Sequence, residues 1–282
     1  PIITAIGENL HDSLKYKLNP TANYVLDRRS VTFHPQGSDT YKPKGTRLIK
    51  LALTGDSWMD PATMRIQFDL HNSDPNTTLA LPMGSPAYIP PRNLRPIGNP
   101  YSFFRRLRIL CNGKIIEDID DFNRISEMLN ILSTPEQRRM VETEGFGANM
   151  NSLSPSSERP TNPITSYPGI KQGQKQTVSM KLGASGLFSQ LKFIPLRYAP
   201  IVIELELVTD ETDVVVSTLI PYEPLELTLA EIQSTFNINT VSSVWEIKNV
   251  QVKVDVCTID STLDNTYTAK FLAGTPMVIN FQ

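Results

Sequence analysis

The chain holds 282 residues, 40% of them hydrophobic and 20% charged, with 27 basic against 29 acidic side chains and a formal net charge of −2. That is the composition of a folded globular protein, long enough for one large β domain or two ordinary ones. The balance excludes recruitment of nucleic acid or an anionic membrane by overall charge, and no run approaches the roughly 20 uninterrupted apolar residues of a membrane-spanning helix.

Residues 1–23 mix apolar and polar positions without a sustained period and are broken by Asn19-Pro20, so an arm is expected there. No charged region precedes an apolar core at Pro1-Ile2-Ile3, so no signal peptide is expected. From Arg29 onward the pattern is that of short strands. Val31 and Phe33 alternate with polar neighbours, as do Ile49, Leu51 and Leu53, and then Met64, Ile66, Phe68 and Leu70. Residues 71–100 carry Pro75, Pro82, Pro86, Pro90, Pro91, Pro96 and Pro100, which neither a helix nor a central strand accepts, so an extended surface excursion is expected.

Residues 103–132 are the most informative stretch. Phe103, Leu107, Ile109 and Cys111 fall on one face of a strand, with Phe104, Arg106, Arg108 and Leu110 on the other. Asn112-Gly113 suits a type I′ turn, whose two central residues both need φ > 0, so Lys114 to Glu117 should pair back as a hairpin. The period then becomes helical. Asp120 or Asp121 is placed to cap, and Phe122, Ile125, Met128, Leu129 and Leu132 form one apolar stripe that is expected to be buried.

Ser133-Thr134-Pro135-Glu136 reads as the start of a second short helix stopped at Gly145 or Gly147, and 147–175 reads as a long loop. Alternation resumes at Val178, Met180 and Leu182. It continues at Ile201, Ile203, Leu205 and Leu207, at Leu225, Leu227 and Leu229, and at Val250, Val252, Val254 and Val256. About eight principal strands with long loops and no βαβ rhythm predict an all-β fold, an eight-stranded antiparallel jelly-roll sandwich with a few short helices. The loop lengths argue against a closed up-and-down barrel. After the last strand Asp260 or Ser261 caps a helix with Leu263, Tyr267 and Phe271 as its stripe and Gly274 as its stop.

Little of the chain suggests chemistry. His11, His34 and His71 are the three histidines and none sits at ligand spacing from another, so no metal site is expected. Cys111 and Cys257 lie in strand-like segments with no histidine near in sequence, so free, buried thiols are expected rather than nucleophiles or a disulfide framework. Glu117, Asp118, Asp120 and Asp121 would suit acid-base work or a cation, but acids at a helix entrance also favour the positive end of its dipole. Arg105, Arg106 and Arg108 form the one basic cluster. Without interleaved aromatic platforms it reads as an interface or solvated face rather than a genome contact. Asn76-Thr77-Thr78 matches a glycosylation acceptor by pattern alone, and no GxSxG, P-loop, dinucleotide fingerprint or HExxH occurs. No catalytic, cofactor-binding or metal residue is expected, and the chain is not expected to be an enzyme.

The run FRRLRILCNGKIIEDIDDFNRISEMLNIL resembles a segment of the major capsid proteins of Polinton-like viruses and virophages, in the double jelly-roll lineage of tailless icosahedral viruses. In that family a strand like WEIKNVQVKVDVCTID closes the first roll, and a linking helix like STLDNTYTAKFLAG leads to a second. The resemblance implies an arm at 1–23, a jelly roll at 24–260, and a link at 261–282 before a second roll absent from this sequence. It implies a virion protein made in the host cytoplasm or nucleus. Its partners would be other copies of itself in trimeric, pseudo-hexagonal capsomers, neighbouring capsomers, minor capsid proteins and a chain or segment carrying the second roll, in an icosahedral shell around double-stranded DNA. No specific nucleic-acid site is expected. The alternatives on the same fold are a single jelly-roll minor capsid or vertex (penton) protein and a carbohydrate-binding or cupin-like module.

Overall fold

A computed structural model of the chain describes residues 25–75, 93–132, 134, 169–215, 241–275 and 278–279. The expected arm at 1–23, the middle of the proline-rich excursion, the short helix begun at Ser133, most of the 147–175 loop and the expected strand at 225–229 lie outside the described residues.

In chain order the strands are β1 (Val25–Phe33), β2 (Thr40–Tyr41), β3 (Leu48–Leu53), β4 (Trp58–Asn72), β5 (Asn93–Leu94), β6 (Phe104–Cys111), β7 (Lys114–Ile119), β8 (Lys175–Met180), β9 (Ile194–Pro195), β10 (Ile201–Leu207), β11 (Val241–Ser242) and β12 (Trp245–Ile259). The helices are α1 (Phe122–Leu132), α2 (Gly186–Ser189) and α3 (Ser261–Leu272), with 3-10 turns at Pro100–Phe103 and Glu211–Val214.

Eight of the described strands have six or more residues, and they form two antiparallel sheets ordered β1-β12-β4-β8 and β3-β10-β6-β7. Ranked by position in the chain, the first sheet runs first, eighth, third, sixth, and the second runs second, seventh, fourth, fifth. The chain therefore crosses between sheets again and again, and its last long strand returns beside its first. That order is a double Greek key wound as a jelly roll. Of the short strands, β2 extends β12, β9 extends β4, and β5 with β11 makes a two-residue parallel ribbon. The expected excursion at 71–100 thus contains β5, whose Leu94 exchanges two 2.8 Å backbone hydrogen bonds with Ile170.

The alternation read in the sequence becomes the core. Ile49, Leu51 and Leu53 of β3, Ile201, Ile203, Leu205 and Leu207 of β10, and Ile66, Phe68 and Leu70 of β4 are buried between the sheets. Each such side chain contributes roughly 1.5–3 kcal/mol by leaving water. Two edge-on aromatic pairs hold the interior together. Phe68 of β4 meets Phe104 of β6 at 5.6 Å, and Phe103 meets Trp245 at 4.8 Å.

The Phe68–Phe104 contact corrects the expected facing of β6. Leu207 pairs with Phe104 but Glu206 pairs with Arg106, so Arg105 is an extra residue, a bulge. A bulge shifts the two-residue period, and Phe104 joins Leu107 and Ile109 inside instead of lying on the outer face. Asn112 and Gly113 take φ of 49° and 77°, as the I′ turn requires, and Cys111 pairs with Lys114 across it. Cys257 is buried as expected, whereas Cys111 beside the turn is only half-buried; both thiols are free and burial raises both pKa values.

The expected burial of the α1 stripe does not hold. Phe122 is fully buried, its ring 6.0 Å from Tyr101, but Ile125, Met128, Leu129, Ile131 and Leu132 are 36–77% exposed. The helix leans on the body through the i, i+4 pair Phe122 and Ser126, one turn apart at its start, so the remainder of the stripe runs off the packed arc. Glu127 anchors it further by accepting the Asn99 amide at 2.8 Å. Gly98 makes that approach possible, because at φ of 76° a Cβ there would lie 2.3 Å from Glu127 Oε1.

Candidate functional site

The acids and arginines singled out in the sequence are brought together, but with each other. On the outer face of the β3-β10-β6-β7 sheet, Glu204 of β10 lies between Lys50 of β3, at 3.6 Å, and Arg108 of β6, at 3.0 Å. Beside that row Arg47 reaches Glu206 at 3.8 Å, and Arg106 grips Asp118 of β7 with two hydrogen bonds of 2.8 and 2.7 Å. Arg105 lies 3.8 Å from Asp120. The hydrogen bond from Arg106 holds the Asp118 carboxyl below its ordinary pKa and Arg106 above its own. A guanidinium held by a carboxylate in this way is not a free anion receptor, and the face is a cross-strand charge mosaic. Glu117 does structural work at a distance, accepting from Ser185 Oγ at 2.6 Å and from Leu187 N at 2.9 Å at the start of α2. Asp121 supplies its backbone carbonyl to the amides of Arg124 and Ile125, and the Asp120 side chain accepts from the Asp121 amide.

Asp60, Asp69 and Glu246 are buried carboxylates on the other sheet, and Asp60 is paired with Arg28 at 2.6 Å. Asp69 of β4 accepts from Lys175 Nζ at 2.7 Å, Thr177 Oγ1 at 2.7 Å and Asn249 Nδ2 at 2.8 Å. Asn249 sits at φ of 52° in a register shift of β12, and the bulge carries its amide to the carboxylate. Burial pushes the Asp69 carboxyl up, but the three hydrogen bonds outweigh it and hold the group below its ordinary pKa. Glu246 is balanced in the same way, burial against hydrogen bonds from Lys248 and Lys42, and is also lowered. These sites are charge-satisfied parts of the fold.

The end of the sandwich where β12 finishes is built differently. Cys257 of β12 pairs with Trp58 at the start of β4, and Trp58 pairs on its other side with Pro195 of β9. α3 leaves β12 through its N-cap Asp260 and lies over this end. Trp58 donates Nε1–H to Asp264 Oδ1 at 3.3 Å and stacks at a tilt on Tyr267 at 5.1 Å. Tyr198, in the turn after β9, shares a 2.6 Å hydrogen bond with Thr268 and meets Phe271 at 4.7 Å. Between helix and sandwich is an apolar cavity of about 450 Å³, walled by Val25, Trp58, Phe193 and Ile259 below and by Leu263 and Tyr267 above. The expected stripe Leu263, Tyr267, Phe271 therefore faces the body half-buried. The aromatic sockets Trp58 and Tyr198 were not foreseen, because nothing in their local sequence announces a partner more than 70 or 200 residues away.

His11 lies outside the described residues, and His34 is an exposed residue just past β1 while His71 is in β4. Among the described residues no three His, Cys, Asp or Glu side chains gather as metal ligands would, and no helix is long and apolar enough to cross a membrane.

No family model matches the chain, and no curated protein matches it. Solved structures to which it is similar include a virus capsid, a virophage and a viral major capsid protein. The PBCV-1 virus capsid aligns at 12% identity with a TM-score of 0.47, over 86% of this chain and 44% of that one. The Sputnik virophage structure aligns at 11% and 0.42, over 89% and 52%, and the Faustovirus major capsid protein at 12% and 0.37, over 87% and 56%. The chain spans about half the length of the solved structures it matches.

Proposed function

We propose that the chain is a structural protein of a viral shell, the first jelly roll of a major capsid protein whose work is to tile. The observation that carries this reading is the strand–turn–strand–helix unit from Phe104 to Leu132, set in a jelly-roll strand order and ending in a helix that turns large apolar side chains to solvent. Contiguous apolar surface costs free energy unless a partner covers it, so its presence marks an interface. On this reading the partners are other copies of the chain, grouped as trimeric, pseudo-hexagonal capsomers in an icosahedral shell around double-stranded DNA. A chain or segment with a second roll and minor capsid proteins complete the set. Residues 1–23 serve as an arm between neighbours, 24–260 as the roll and 261–282 as the link. No residue is assigned a catalytic role.

The test is negative-stain microscopy of the purified intact chain, alone and with proteins from its source. Capsomer-like particles of threefold outline or shell fragments are expected. Monodisperse monomers that associate with nothing would overturn the reading.

A further inference from the structure

α3 owes its conformation to the surface beneath it. Its sequence, Ser-Thr-Leu-Asp-Asn-Thr-Tyr-Thr-Ala-Lys-Phe-Leu, has three threonines, an aspartate and an asparagine, all weak helix formers, and a 12-residue helix is marginal in water even with a better composition. Thr266 and Thr268 each turn their hydroxyls back to a carbonyl one turn earlier, which does not strengthen a helix. The ends are well made. The Asp260 carboxylate accepts the Thr262 amide at 3.0 Å, and beyond the last turn Gly274 at φ of 72° lets Thr275 N reach Lys270 O at 3.0 Å. Yet none of its residues is fully buried.

The grip falls on residues 264, 267, 268 and 271, the i, i+3, i+4, i+7 positions of one face. Trp58 takes the first two and Tyr198 the last two, each aromatic using its polar atom on one helix residue and its ring on the next. Both sockets belong to the sandwich, where Trp58 is buried and hydrogen-bonded in β4. Beneath the helix the cavity is apolar, and Lys192 donates to Val278 O at 3.0 Å, drawing the segment after the helix across the same opening.

We propose that α3 is a latched lid over this cavity, held by the two aromatic sockets and able to release as a unit while the sandwich stays folded. The lid melts when it lifts, because its helicity depends on docking, and it uncovers the apolar wall formed by Val25, Phe193 and Ile259.

The experiment is hydrogen–deuterium exchange of the intact chain with the paired substitution Tyr267→Ala and Phe271→Ala, beside the conservative Tyr267→Phe, with 8-anilinonaphthalene-1-sulfonate as a fluorescent probe of exposed apolar surface. Amides of 261–272 should exchange about ten- to a hundredfold faster in the double variant, those of β4 and β12 should be unchanged, and the dye should brighten. Tyr267→Phe, which keeps the ring and uses no hydroxyl contact to Trp58, should retain the protection. Unchanged exchange in α3 would show that the sockets do not hold it. Equal acceleration in β4 and β12 would show that the helix is an integral part of the sandwich. Either result overturns the lid.

Discussion

α1 and α3 are of nearly equal length and opposite construction. α1 has the stronger apolar pattern, yet its buried residues are Phe122 and Ser126 alone, and most of its stripe faces solvent. α3 has a thin stripe and poor helix formers, yet four residues of one face are engaged by Trp58 and Tyr198. A helical period says that a segment has an apolar face; it does not say whether that face is turned to its own chain. What decides is the surface that the fold brings beside it, and a stripe left over is available to a neighbour.

The sharpest break of that contrast is Phe122→Ala, which removes the one large side chain tying α1 to the core. A loss of about 3–5 kcal/mol in urea unfolding is expected. Gly98→Ala should cost about 1–3 kcal/mol, since it combines a left-handed backbone with a clash against Glu127, and α1 amides should lose protection first. Acid acts on the sandwich through Asp69 and Glu246. Asp69 and Glu246 have folded pKa values below their ordinary ones, so their contribution is fully present above the unfolded values near 4 and is lost as pH falls through the folded values. Thermal melts from pH 6 to 3 should show falling stability at the acid end, with a smaller fall in Asp69→Asn. The smallest effect is expected from Leu129→Asp, within about 0.5 kcal/mol on stability because the site is already half exposed. Its signature should be weakened self-association at an unchanged melting temperature.

β3 and β10 were legible because each has one buried side, and alternation at Ile201–Leu207 or Leu48–Leu53 needs no knowledge of the partner strand. The I′ turn was legible for a similar reason, since φ > 0 at two adjacent residues restricts the choice to pairs such as Asn112-Gly113. The bulge at Arg105 was not, because one inserted residue reverses facing without altering composition. The fate of the arginine and acid clusters was equally hidden. Arg106 and Asp118 are 12 residues apart, but Arg108 and Glu204 meet only because the strand order places β10 beside β6. Trp58 and Tyr198 show the same limit, since a socket is defined by two distant segments and neither carries its mark alone.

The proposed tiling role requires this jelly roll to associate with its own kind. Sedimentation velocity of the intact chain across a wide concentration range tests it most directly. Conversion from monomer to a trimer or larger species is expected as concentration rises; a single monomer boundary at every concentration would rule the tiling role out.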